Sequence, residues 1–255
     1  MRISLDNKVL TLVAVRLKSA RLPRKALADL HGEPLIIRLT ERVREAKIPA
    51  EVIWCTSTNN QDDPLEQLAS ERGITCFRGS KLDVMSRFIE VADQKDASTV
   101  VRITGDNPLT DPVTMDAMIG AHLNNKAEYT FTEDLPVGTR SEIIDVEMLK
   151  RCHKLLQDPN ASEYMTWMLN RPDQFKTLKY NVENQKIKRP EIILTVDTES
   201  DLRVARAIYE NFEGKAPILE NIIHWLDLNP EVIVNDIDLD STTINEAVNY
   251  KLAVD

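Results

Sequence analysis

Five cationic side chains, Arg16, Lys18, Arg21, Arg24 and Lys25, fall within the stretch AVRLKSARLPRKAL, directly after the apolar run VLTLVAV. Much farther along, Asp106 closes the segment TVVRITGD and Asp197 follows IILTV. Concentrated positive charge neutralises a polyphosphate. Mg2+ takes one or two carboxylates and fills its remaining sites with phosphate oxygens and water. These residue types together point to a nucleoside triphosphate bound with magnesium. A plainer reading competes at each position. A basic loop is commonly a solvated face, Asp106 before Asn107-Pro108 suits a turn, and Asp197 in VDTESD suits a helix N-cap. The readings part on whether the fold delivers all three to one place.

The elements that would do so are readable from periodicity. Short runs rich in Val and Ile alternate with longer segments of helical period, which is the pattern of an α/β fold with a mostly parallel sheet. VLTLVAV (Val9–Val15), EVIWCTS, ITCFRG and TVVRITGD read as strands. PLIIRLTERVREAK (Pro34–Lys47), DDPLEQLASERG, DVMSRFIEVADQ and DPVTMDAMIGAHL read as the helices between them. Beyond about Ala127 the alternation loosens. AEYTFT, RSEIID, FKTLKYNV and EIILTVD are expected as strands, with helices near Val146–Leu156, Ala161–Leu169 and Ser200–Tyr209. Residues 1–213 form one expected domain. Residues 214–255, containing ILENIIHWLDL and PEVIVNDI, form an appendage that is not an independent domain. In open α/β sheets ligands bind at the carboxyl ends of the strands. There the basic cluster, TSTNNQDD, RGSKLD, TGDNP and DTESD would meet.

Composition narrows the partner. The 255 residues carry a net charge of -9, which argues against a nucleic-acid surface, so an anion must be held by a local cluster. No apolar run is long enough to span a membrane, and the N-terminus lacks a signal-peptide layout, so a cytoplasmic location is expected. Cys55, Cys76 and Cys152 do not make a disulfide framework, and the four histidines show no metal-ligand spacing. Among 7 glycines neither G-x-G-x-x-G nor G-x-x-x-x-G-K-[ST] occurs, so phosphates would be gripped mainly by side-chain charge.

Read together, RLKSARLPRKALADLHGEPLI, TSTNNQDDPL, FRGSKLDVMSRF, VRITGDNPLTDP and LTVDTESDL resemble, in order and spacing, the blocks of the cytidylyltransferases. That family includes acylneuraminate and 3-deoxy-manno-octulosonate cytidylyltransferases, and the resemblance is greatest to its spore-coat polysaccharide branch. It implies a Rossmann-like nucleotidyltransferase fold in three layers, shared with many glycosyltransferases. It also implies transfer of CMP from CTP to a small-molecule acceptor and a homodimer. By this resemblance Arg16, Ser19, Arg21 and Lys25 fall on nucleotide-phosphate positions, Arg16 and Lys25 being catalytic together with Asp106. Thr56, Arg78, Ser80, Asp83 and Arg87 fall in blocks that form the nucleotide pocket. Asp106 and Asp197 fall on the magnesium positions. Arg102, Asn107, Arg140, Glu142 and Glu163 are assigned to the acceptor. Lys18 and Arg24 stand where the family has glycines, Gly138-Thr139-Arg140 replaces a Gly-Leu-Asp, and Tyr164 replaces a histidine.

Two other readings share the same residues: a metal-dependent glycosyltransferase using a nucleotide-sugar donor, and a nucleotide-binding homologue without catalysis. Lys25, a further cation in the basic loop, favours a triphosphate over a diphosphate sugar. For the acceptor, a phosphate monoester is already ionised at neutral pH, whereas a sugar hydroxyl usually requires a base. No histidine lies at an expected strand end, which favours an anionic acceptor.

Overall fold

The computed structural model describes residues 8–233, apart from the side chains of Ala161, Glu163 and Tyr164. Four strands, β1 (Val9–Ala14), β2 (Glu51–Ser57), β3 (Thr75–Gly79) and β4 (Thr99–Thr104), pair in parallel. The sheet continues through β5 (Tyr129–Phe131), β6 (Glu142–Asp145) and β7 (Thr177–Lys179), giving seven strands in the order β3-β2-β1-β4-β6-β5-β7. Only β6 runs against the rest, antiparallel to both β4 and β5.

Central strands buried on both faces need apolar residues at odd and even positions alike, and β1 supplies them. Its Leu10 and Leu12 enter one core with α3 (Val84–Gln94) and α5 (Val146–Leu155). Val9 and Val13 enter another with α1 (Leu35–Val43), α2 (Asp63–Glu71) and α4 (Pro112–Asn125). The result is a three-layer α/β fold, as expected. A third core joins α7 (Glu199–Asn211) and α8 (Leu219–Leu228) to Leu30, Leu35 and Leu109. The helix expected over Ala161–Leu169 is a 3-10 turn, Pro159–Tyr164, leading into the short α6 (Met165–Leu169). Residues of PEVIVNDI beyond Ile233 lie outside the described residues, as does the side chain of Glu163.

One expected strand is not in the sheet. EIILTVD alternates correctly, with Ile192, Leu194 and Val196 buried, but Ile193 makes only an isolated bridge with Val137. The segment is held by loop backbone instead. Leu194 N–H donates to the Val137 carbonyl at 2.7 Å and Val196 N–H to the Asp106 carbonyl at 2.9 Å. Gly138, at φ +91°, allows this approach, since a Cβ there would lie 2.2 Å from the Thr195 nitrogen.

His122, on α4, is buried, and its Nδ1 lies 2.9 Å from Thr130 Oγ1 of β5. Burial alone pushes its pKa down from 6.5 to about 4. Between those values the unfolded chain takes up a proton that the folded chain refuses. Stability is therefore intact above pH 6.5 and declines as pH falls through the window, by up to about 3 kcal/mol. Urea denaturation at pH 7 and pH 4.5 should show this decline, and His122→Gln should flatten it. Equal declines in the two proteins would acquit the histidine.

Candidate active site

Strand register brings the loops together. Ala14, the last residue of β1, pairs with Cys55 on one side and Thr104 on the other, so the loops after β1 and β4 leave the sheet side by side. Gly105 lets them touch: a Cβ at this position would lie 2.8 Å from the Val15 side chain. The loop after β1 then folds back on itself. Leu17 N–H donates to buried Asp62 at 2.7 Å, and Arg24 N–H donates to the Leu17 carbonyl at 3.1 Å. Arg24 is left-handed, at φ 58° and ψ 24°, and the single 3-10 turn Lys25–Leu27 follows it. The glycine expected at position 24 is therefore explained by backbone conformation. Arg24 does not line the cleft.

Lys25 is the hub. Its ammonium donates to Asp106 Oδ2 at 2.8 Å and to Asp197 Oδ1 at 2.7 Å. Burial lowers its pKa, but the two carboxylates outweigh that effect and raise it above the ordinary lysine value. The other oxygen of Asp106 accepts from Thr104 Oγ1 at 2.6 Å, and Asn107 Nδ2 donates to that hydroxyl at 2.9 Å. The N-cap of α7 is Thr198, not Asp197. Asp201 completes a capping box and accepts the Asp197 N–H at 2.9 Å, so the Asp197 backbone is held while its carboxylate points elsewhere. Exposed Arg21 reaches its second oxygen at 3.1 Å. The plain turn and cap readings thus account for the backbone near both aspartates, not for where their side chains meet.

Around this hub lies a cleft of about 770 Å³. Seven cationic side chains and two carboxylates line it, in a protein that is acidic as a whole. Arg16, Lys18, Ser19, Arg21 and Lys25 come from the basic loop, Lys81 and Arg87 from the β3–α3 region, and Arg102 from β4. Arg87 is buried and donates to the Cys55 carbonyl at 3.0 Å. Its pKa is lowered by desolvation and by the neighbouring charge of Arg16. Arg102 pairs with Glu142, which also accepts from the buried Tyr129 hydroxyl, and donates to Thr166 Oγ1 at 3.1 Å. Burial and Glu142 push the Tyr129 pKa well up, keeping it a donor.

Several anticipated residues sit elsewhere. Arg78 pairs with Asp63 and Glu66 of α2 and bonds the Ser57 and Asn59 carbonyls, bracing the β2 loop. Asp83 caps α3, accepting from Ser86 N–H and Ser162 Oγ, with His153 Nε2 at 2.6 Å. Ser80 accepts from Asp83 N–H at 3.1 Å. Thr56 is buried in β2, and its hydroxyl has no hydrogen-bond partner among the described residues. Arg140 donates to the Leu135 carbonyl at 2.8 Å. Glu142 and Asn107 stand behind Arg102 and Thr104, outside the lining itself. Conversely, the sequence reading passed over Lys81 and Thr104 as site residues and gave Lys18 no role. Each lies in a strand-end segment that the strand-end rule gathers, but the rule alone does not single out these members.

Two carboxylates with oxygens converging on one point match the donor set that Mg2+ uses. Among the described residues no group of three or more His, Cys, Asp or Glu side chains could hold a metal, so a bound ion would depend on ligand oxygens to complete its shell.

A mostly parallel α/β sheet with a cationic cleft and two carboxylates at its carboxyl edge suits a polyphosphate. A family model described as cytidylyltransferase matches residues 10–222. The chain belongs to the cytidylyltransferase family. It is 30% identical over 233 residues to the spore coat polysaccharide biosynthesis protein SpsF of Bacillus subtilis (strain 168), covering 88% of this chain and 96% of that one. It superposes on the structure of a cytidylyltransferase from Leptospira borgpetersenii serovar Hardjo-bovis with TM-score 0.83 and 26% identity, over 90% of this chain and 98% of the other. A CMP:2-keto-3-deoxy-manno-octonic acid synthetase complexed with CTP shares the fold at TM-score 0.63 and 18% identity, over 81% of this chain and all of that one.

Proposed function

We propose that this cytidylyltransferase moves CMP from CTP to an anionic sugar or sugar-phosphate acceptor, with Mg2+ held by Asp106 and Asp197, for surface polysaccharide synthesis. The observation that carries the reading is the convergence of those two carboxylates on Lys25 inside a cationic cleft. The acceptor's oxygen forms a bond to the α-phosphorus, the bond from that phosphorus to the bridging oxygen breaks, and pyrophosphate leaves with the electron pair. Arg16, Arg21 and Lys25 stabilise the charge that grows on the leaving pyrophosphate. When bound, magnesium supplies Lewis-acid polarisation of the phosphoryl oxygens. Arg102, oriented by Glu142 and Thr166, supplies a cation for the acceptor's anionic group beside Asp106. Kinship to SpsF supports a polysaccharide precursor. The shared fold with a synthetase of a keto-acid sugar nucleotide is consistent with an acidic acceptor.

The test is pyrophosphate release with Mg2+, screening keto-acid sugars and sugar phosphates against all four nucleoside triphosphates. Release with CTP and an acidic acceptor is the expected result. Calorimetric CTP binding without pyrophosphate from any acceptor would mark a silent homologue instead. The same reading places a homodimer in a reducing cytoplasm, consistent with three free cysteines.

A further inference from the structure

We infer that Lys25 competes with the divalent cation for Asp106 and Asp197, so that the site takes metal together with a polyphosphate in preference to metal alone. This rests on the reading above that those two aspartates hold the metal. The geometry supplies the competition. The ammonium contacts Asp106 Oδ2 and Asp197 Oδ1 at 2.8 and 2.7 Å, and these are the two oxygens that face a common point. The remaining oxygens are engaged, Asp106 Oδ1 by Thr104 and Asp197 Oδ2 by Arg21. A divalent ion binding both carboxylates therefore draws on the same oxygens as Lys25 and sits against its positive charge. A lysine ammonium is a compact point charge and suits such a place better than a planar guanidinium would.

The charge around the hub decides what eviction entails. The Lys25 side chain is only 14% exposed. Apart from the two aspartates, every charged residue lining the cleft is a cation, including Arg16, Lys18 and Lys81. An ammonium pushed off its carboxylates by free metal would thus be left half-buried beside like charges, an unfavourable outcome. A polyphosphate removes the penalty by giving the displaced ammonium new oxygens to bind. Metal and polyphosphate then favour each other, and because linkage is reciprocal each tightens the other by the same factor. Couplings of this kind typically span about 5- to 150-fold.

The experiment measures Mn2+ binding by electron paramagnetic resonance, without an acceptor, in wild type, Lys25→Met and Lys25→Gln. Both neutral variants should bind Mn2+ alone at least about tenfold tighter than wild type, although CTP binds them more weakly. Adding Asp106→Asn to either should erase the gain. Independently of any variant, the wild-type melting temperature should be nearly unmoved by Mn2+ alone and raised by Mn2+ with CTP beyond the effect of CTP itself. Suppose neutral variants bind Mn2+ no tighter, or wild type binds Mn2+ equally well with and without CTP, while Asp106→Asn still loses metal. Then the competition is refuted and the metal assignment stands. If instead Asp106→Asn and Asp197→Asn both leave Mn2+ binding with CTP unchanged, the metal assignment itself fails and the inference goes with it.

Discussion

Asp106→Asn should lower kcat by roughly a thousandfold, about 4 kcal/mol of transition-state stabilisation, while the protein stays folded. The carboxamide keeps the shape of the side chain and an oxygen for the Thr104 hydroxyl, which donates to Asp106 at 2.6 Å. It loses the negative charge that Lys25 pairs with and that the proposed divalent ion would need. The Asp106 side chain is 24% exposed and Asp197 still pairs with Lys25, so the change in stability should be small. Single-turnover formation of the CMP-linked product, set beside a thermal melt, separates the two effects. Turnover within tenfold of wild type in a folded variant would remove Asp106 from the chemistry.

Gly138→Ala should be the most damaging change outside the cleft. The residue sits at φ +91°, where an alanine is strained. Its added Cβ would also lie 2.2 Å from the Thr195 nitrogen and 2.6 Å from the Leu194 carbonyl carbon and Thr195 Cα. Backbone atoms cannot swing aside as a flexible side chain can. The loop and the 192–197 segment must separate, at a cost on the order of 3 kcal/mol from strain and overpacking. That segment carries Asp197, the proposed metal ligand, so activity should fall as well. Displacing a catalytic group by about 1 Å can cost on the order of a hundredfold. Urea denaturation and kcat/KM should therefore decline together. An alanine variant with wild-type midpoint and rate would mean that this loop contact does not set the position of Asp197.

The first half of the fold was legible because three of its four strands, β1, β2 and β4, are central. Helices cover both faces of β1, so Val9 to Val13 are apolar at every position except the buried Thr11, and such a run is a strong signal. The second half gave weaker signals. β5 and β7 have three residues each, too few for a period to repeat. Ile192, Leu194 and Val196 gave a clear strand pattern without belonging to a sheet. Alternation records which side of an extended chain is buried, and here the burying surface is the third core.

The same distinction separates motif from role at the site. The basic loop, which alone could be a solvated face, could be read because it coincides with Asp106 and Asp197 at one edge of the sheet. Arg78 and Asp83 lie in a block as recognisable as any other, yet their partners are Asp63, Glu66, Ser86, Ser162 and His153. A short pattern tells which chain neighbourhood builds a pocket; only the distances tell which members brace it and which face inward. Position 24 illustrates a subtler loss. A preference for glycine has two causes, close approach and a left-handed turn, and sequence cannot choose between them.

Lys25 and Asp197 are separated by 172 positions along the chain. The proposed metal site consequently cannot form on a nascent polypeptide until Asp197 has been synthesised, however early the first β-α units consolidate on the ribosome. Contacts of such long range close late, after the loop entropy between their ends has been overcome. A chain that stops short of Asp197 has the basic loop and Asp106 but lacks the second carboxylate that Lys25 bonds in the folded protein.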